Sequence, residues 1–312
     1  MAYTYLYEKL GNLLQQGLSD PLVTEIILNP DSALWFHRHG DGYCKVGIMN
    51  ENEANNFVHA LAEFHNRYLN DDTPYADLTL PFNGERVNIT IPPITDKVSF
   101  NIRKHSNVIV TLDDYVNKEI LTRTQKNILI NAIETRKNIL VSGSPTSGKT
   151  TLTNALLHAL AEIAPRGHRV LLLEQVPELQ CALPNSKTMQ TTDTVSMNTL
   201  LWLAMRNSPE RIIVGEVRDG AALDLLKAWN TGCAGGIATI HANHAKAAMQ
   251  RLIDLSCEAT NTPPYTLAAE AVDVIVHIEA NRHHPAGRQV TELVAVEGFQ
   301  PQQQQFIFQS LW

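Results

Sequence analysis

The stretch Gly143-Ser-Pro-Thr-Ser-Gly148-Lys149-Thr150 restricts the folds open to this chain more than any other, because it fits G-x-x-x-x-G-K-[ST] in the setting that pattern needs. Upstream, Asn138–Ser142 is an apolar run of strand length; downstream, Leu152, Leu156, Leu157 and Leu160 recur at helical spacing. A strand that hands a glycine-rich turn to the start of a helix points consecutive backbone N–H groups at phosphate oxygens. The residue types then divide the work. Gly143, Ser144, Pro145, Thr146, Ser147 and Gly148 form the cradle, Lys149 brings a point charge to the β- and γ-phosphates, Thr150 offers a hydroxyl to Mg²⁺, and Thr151 completes the nucleotide-contacting set. The ligand expected is a nucleoside triphosphate.

The rest of the chain organises around this turn. With 312 residues, 44% of them apolar, two modest cores are affordable and two domains are expected. Residues 1–104 read as a smaller α+β domain: a helix over 1–19, strands at Val23–Leu28 and Ala33–His37, a helix striped by Ala54, Phe57, Ala60, Leu61 and Phe64, then alternating strands near 77–80, 86–91 and 98–102. Residues 105–118, containing Thr111-Leu-Asp-Asp-Tyr115, read as a linker. From 119 to 312, apolar strands alternate with helices, which predicts a parallel α/β sheet ending in a β-meander near 273–279, 289–296 and 306–308.

Charge and cysteine usage exclude several classes. The net charge is −7 and neither part of the chain carries a basic excess, so direct nucleic-acid binding through a broad basic surface is not supported. Cys44, Cys181, Cys233 and Cys257 form no C-x-x-C pair and read as reduced thiols. There is no basic leader followed by an apolar core and no apolar stretch of membrane-spanning length, so a cytoplasmic location is expected.

In parallel α/β sheets ligands bind at the carboxyl ends of strands, and those ends are unusually polar here. One strand leads into Glu174-Gln-Val-Pro-Glu178, another into Gly215-Glu216-Val-Arg218-Asp219, a third into His241-Ala-Asn-His244. Hydrolysis of a γ-phosphate needs Mg²⁺, an oriented water and positive charge for the transition state. Glu216 is therefore read as the water-positioning carboxylate and Glu174 as the second carboxylate, acting on the metal's water shell; Thr150, Glu174 and Glu216 are the metal-associated set. His241 is read as sensing the γ-phosphate or relaying its state to the neighbouring helix, and Arg218 joins the catalytic group. The bland alternative for Glu216 is a salt bridge to Arg218 or Arg206. His244, His283 and His284 read as surface residues.

In this order the boxes resemble the traffic-ATPase superfamily of type II and type IV secretion and pilus machines. Gly143–Thr150 matches its Walker A motif, Glu174–Glu178 its acidic box, Ile212–Glu216 its Walker B motif and Gly235–His241 its histidine box. Thr146–Ala155, Val214–Arg218, Leu226–Gly232 and Ala238–Asn243 are most similar to the conjugal-transfer ATPases within it. Two positions depart from the pattern. Gln175 stands where an Asp is usual, an amide that orients water but adds no charge near the metal, and Cys233 stands where the histidine box usually has His.

The resemblance implies a RecA-like P-loop motor domain behind a PAS-like amino-terminal domain, with ATP as the nucleotide. It implies a homo-hexamer held peripherally at the inner membrane by the components of a type IV secretion or conjugation apparatus. It also places Arg86 and Arg103 over the nucleotide phosphates; the alternative for both is pairing with a carboxylate such as Glu85. The rival functions are a pilus retraction ATPase and a RecA-like nucleic-acid motor.

Overall fold

Alternation of apolar and polar residues builds the amino-terminal unit. The computed structural model describes residues 2–38, 41–104 and 110–312, and the chain divides into Met1–Val108 and Ile109–Trp312. The first unit runs α1 (Ala2–Lys9), α2 (Gly11–Ser19), β1 (Val23–Leu28), β2 (Ala33–Arg38), β3 (Gly42–Ile48), α3 (Glu51–Phe64), β4 (Tyr75–Thr79), β5 (Arg86–Thr90) and β6 (Ser99–Arg103). All its strand pairs are antiparallel, in the order β3-β2-β1-β6-β5-β4. In β5 and β6 every second residue is buried: Val87, Ile89, Phe100 and Ile102 join Phe57 and Leu61 of α3 in one core. Such a sheet packs helices on one face and leaves the other polar. Arg86 and Arg103 stand on that polar face, directly opposite each other in the ladder. The helix expected over 1–19 is interrupted between α1 and α2.

The second unit runs α4 (Leu112–Asn117), α5 (Arg123–Glu134), β7 (Ile139–Gly143), α6 (Lys149–Ile163), β8 (Val170–Glu174), β9 (Ser186–Gln190), α7 (Met197–Ala204), β10 (Arg211–Val214), α8 (Ala221–Asn230), β11 (Ile237–His241), α9 (Ala245–Ser256), α10 (Tyr265–Ala271), β12 (Val274–Ala280), β13 (Arg288–Gln300) and β14 (Gln305–Ser310). Its sheet order is β14-β13-β12-β7-β11-β10-β8-β9. The strands from β12 to β9 are parallel, and β13 and β14 add antiparallel hairpins.

Both faces of the central strands are covered, so β7, β8, β10 and β11 read as unbroken apolar runs. Successive residues feed opposite cores: Leu171, Leu173, Ile212, Val214, Ala238 and Ile240 pack with α7, α8, α9 and α10, whereas Val170, Leu172, Ile139, Val141, Ile213 and Ile237 pack with α4, α5 and α6.

The segment read as a linker is in part core. Residues 105–109 lie outside the described residues, but 112–117 form α4, closed by a capping box between Thr111 and Asp114. Leu112 and Tyr115 are buried among the residues of α5 and α6, so α4 belongs to the second unit and not to a connector.

At the amino ends of the central strands a polar clamp holds the sheet in register. Buried Asn138 accepts from the backbone N–H groups of Gly235 and Gly236, both at 2.8 Å, and donates to the carbonyl of Ala271 at 2.7 Å. Arg211, also buried, donates to the carbonyls of Gly235 and Ile133 and to Nε2 of His168.

Candidate active site

Because β7 is central and parallel to its neighbours, its carboxyl end delivers the glycine-rich turn beside the ends of β11, β10 and β8. The turn is tightly determined. A Cβ on Gly143 would run into the carbonyl oxygen of Ile278 and Oγ of Ser147, and Gly148, the N-cap of α6, has φ +101°. Ser144, Pro145 and Thr146 are exposed, Ser147 is buried, and Thr150 and Thr151 sit half-exposed in the first turn of α6.

Lys149 does not reach into open solvent. Its Nζ donates to the Ser144 carbonyl and to Nδ1 of His241, both at 3.0 Å. Burial pulls the ammonium pKa down, opposed by the nearby Glu216 charge. A lysine ammonium only donates, so Nδ1 of His241 is the acceptor and the ring proton sits on Nε2. That Nε2 lies 2.9 Å from Oε1 of Glu216, within ion-pair distance but without the geometry of a hydrogen bond. The other carboxylate oxygen, Oε2, accepts from Arg218 Nη2 at 2.6 Å, and Arg218 Nη1 donates to Oε1 of Gln175 at 3.0 Å. One chain of contacts thus joins Lys149, His241, Glu216, Arg218 and Gln175, across the ends of four strands. The Glu216–Arg218 salt bridge, the alternative role for Glu216, is present and is one link of this chain.

Glu174 is the buried member. Its Oε1 accepts from the backbone N–H groups of Glu178 and Leu179, each at 2.8 Å, while Oε2 has no partner among the described residues. Burial pushes its pKa up to about 7, partly countered by those two N–H groups. Gly215 packs over it, a Cβ there lying 3.2 Å from Cγ of Glu174, so the ends of β8 and β10 meet. Asn154 of α6 holds the acidic loop in place, accepting from Gln180 N and donating to the Glu178 carbonyl. Nothing in the spacing of the sequence flagged Asn154.

The chemistry of these groups suits a magnesium nucleotide. Among the described residues no cluster of three or more His, Cys, Asp or Glu could hold a metal by itself. Mg²⁺ bound to nucleotides takes few protein ligands and completes its shell with phosphate oxygens and water. The unpartnered oxygen of Glu174 and the hydroxyl of Thr150 fit that demand.

Arg86 and Arg103 belong to the first unit. Glu85, their suggested partner, is buried and takes its hydrogen bonds from Asn83. Cys233 is buried in the core with α7 and α8, and His244 caps α9, accepting from Ala247 N at 3.0 Å.

The family model described as Type II/IV secretion system protein matches residues 10–302. A probable conjugal transfer protein TrbB from Sinorhizobium fredii (strain NBRC 101917 / NGR234) is 43% identical, over 94% of this chain and 89% of its own. The crystal structure of the VirB11 ATPase of the Brucella suis type IV secretion system, in complex with sulphate, is similar with 26% identity and a TM-score of 0.50, covering 94% of this chain and 95% of that one. The ATPase DotB of Legionella pneumophila shares the fold, with a TM-score of 0.65 at 18% identity, covering 91% of this chain and 79% of that one.

Proposed function

This chain belongs to the type II/IV secretion system protein family, and we propose that it hydrolyses ATP to power type IV secretion in conjugal transfer. The observation that carries this reading is the run of close contacts from Lys149 through His241 to Glu216. It ties the residue that meets the γ-phosphate to the carboxylate that orients the attacking water. Binding of the γ-phosphate draws Lys149 Nζ away from His241 Nδ1, and the ring transmits that change to Glu216. Arg218 holds the second oxygen of Glu216 and so sets the carboxylate plane. Thr150 would hold Mg²⁺ directly, with Glu174 and Glu216 acting through its water. Held there, Mg²⁺ would neutralise charge on the phosphate oxygens.

Arg86 and Arg103 complete the site as cations for the transition state. Like charges at directly opposite ladder positions are unfavourable, and an anion lying on Arg86 and Arg103 would relieve this. A ring of six copies would let each subunit convert domain closure on ATP into a stroke. No helix of the described residues is long and apolar enough to cross a membrane, so attachment to the inner-membrane apparatus would run through partner proteins.

The test is phosphate release by the full chain at fixed salt, with and without DNA, beside Lys149→Ala. Wild type should turn over with little response to DNA, and the variant should be at least about 100-fold slower with an unchanged melting curve. Normal turnover by Lys149→Ala would remove the assignment, and strong stimulation by DNA would favour a nucleic-acid motor.

A further inference from the structure

Lys149, His241, Glu216 and Glu174 all face one flank of the phosphate loop. In the sheet order, β7 has β11, β10 and β8 on that side and β12 and β13 on the other. The second flank carries a group that no motif marks: Arg288, the first residue of β13. Its side chain lies against Gly148, where a Cβ would collide with Nη1 and stand 3.4 Å from both Cδ and Cζ. Arg288 is half-buried, and among the described residues its side chain has no hydrogen-bond or ion-pair partner.

The strand that carries it is well anchored. Asn281 N donates to the Gly287 carbonyl at 2.9 Å and closes the β12–β13 hairpin. Val290 N donates to the Ile120 carbonyl at 2.9 Å, and His284 Nε2 lies 3.2 Å from the Glu119 carbonyl, so the hairpin is tied to the loop after α4. Tyr115 of α4 is buried with its hydroxyl unpartnered. Burial pushes its phenol up, and the Arg288 charge is near enough to pull it partly back.

A guanidinium is a planar fork suited to phosphate oxygens. The backbone around Gly148 is the part of such a loop that cradles the α- and β-phosphates, whereas Lys149 reaches the β/γ end. Its Nζ points toward His241, on the opposite flank from β13. We infer that Arg288 is a binding residue for the α,β-diphosphate of the nucleotide, serving ADP and ATP alike, and that it takes no part in sensing the γ-phosphate. This rests on the ATPase reading given above.

The experiment is calorimetric titration of the full-length protein with ADP, a non-hydrolysable ATP analogue and inorganic pyrophosphate, for wild type, Arg288→Ala, Arg288→Gln and Arg288→Lys. Loss of one charge-assisted contact should weaken all three ligands by a common factor of roughly 10 to 100. Arg288→Gln, which keeps most of the stem, should match Arg288→Ala, and Arg288→Lys should recover part of the loss. In turnover assays KM should rise by a similar factor while kcat at saturating ATP changes by less than about threefold.

Unchanged ADP affinity in a variant that melts like wild type would overturn the inference. So would a loss confined to the ATP analogue, which would make Arg288 a γ-phosphate sensor, or a loss for ADP that spares pyrophosphate, which would place it on the base. If wild type itself binds neither ADP nor the analogue, the ATPase reading fails instead.

Discussion

At the scale of single residues, the proposed roles separate binding from chemistry. Glu216 has its two oxygens on His241 and Arg218, and neither contact involves the phosphate cradle. Glu216→Gln keeps the shape of the side chain and loses the carboxylate's capacity to polarise water. It should bind ATP within a few-fold of wild type and hydrolyse it at least about 100-fold more slowly, read by equilibrium binding and single-turnover phosphate release. Normal turnover in Glu216→Gln with a dead Glu174→Gln would reverse the two carboxylates.

Glu174 carries a separate signature in stability. Its carboxyl is raised from 4.5 to about 7 in the folded chain, because burial disfavours the ionised form. The folded state therefore keeps this proton where the unfolded chain has lost it. The linked stability is fully present below about pH 4.5 and is lost as pH rises through about 7. In chelator and without nucleotide, Glu174→Gln should melt higher than wild type at pH 8, by up to about 3 kcal/mol, with the gap closing as pH falls toward the unfolded value. Melting curves with the same pH dependence in both proteins would contradict this.

Among secondary-structure elements, the clamp at the amino ends of β7 and β11 makes a prediction independent of the chemistry. Asn138→Ala leaves two buried backbone N–H groups, those of Gly235 and Gly236, without their acceptor. The expected cost is about 2–4 kcal/mol of stability, measured by denaturant unfolding, with ADP affinity of the folded fraction unchanged.

The same scale shows what could be read from residues alone. The strands β7, β8, β10 and β11 were legible because both of their faces are buried, which forces a continuous apolar run. The edge strand β9 was missed: Ser186–Gln190 is polar and mostly exposed, and pairing with β8 through the backbone requires no apolar side chain. In the first unit β3 was missed for a similar reason, since it lies at the sheet edge and none of its residues is buried. The helix α4 reads as a linker in sequence because Asp113, Asp114 and Asn117 dominate its composition, while two buried residues, Leu112 and Tyr115, anchor it.

Within the site, motif spacing gives the phosphate loop and the carboxylates, since the chemistry needs those residue types just after particular strands. Asn154, Asn138 and Arg288 act across long stretches of chain, and no local pattern marks such partners.

At the scale of the whole molecule, the proposed function requires the second unit to hold the nucleotide and two arginines of the first to support turnover. Arg86 and Arg103 pair in register on the polar face of the antiparallel sheet, so removing both leaves the buried face of that sheet untouched. An arginine supplied to a phosphoryl-transfer site is worth roughly 1,000-fold or more in rate. The decisive measurement is steady-state phosphate release at saturating ATP and Mg²⁺ by the full chain and by an Arg86→Ala plus Arg103→Ala variant. The wild-type chain should hydrolyse ATP, and the double variant should be at least about 100-fold slower with the same melting temperature. Equal rates in the two proteins, or no hydrolysis by wild type, would contradict the proposed function.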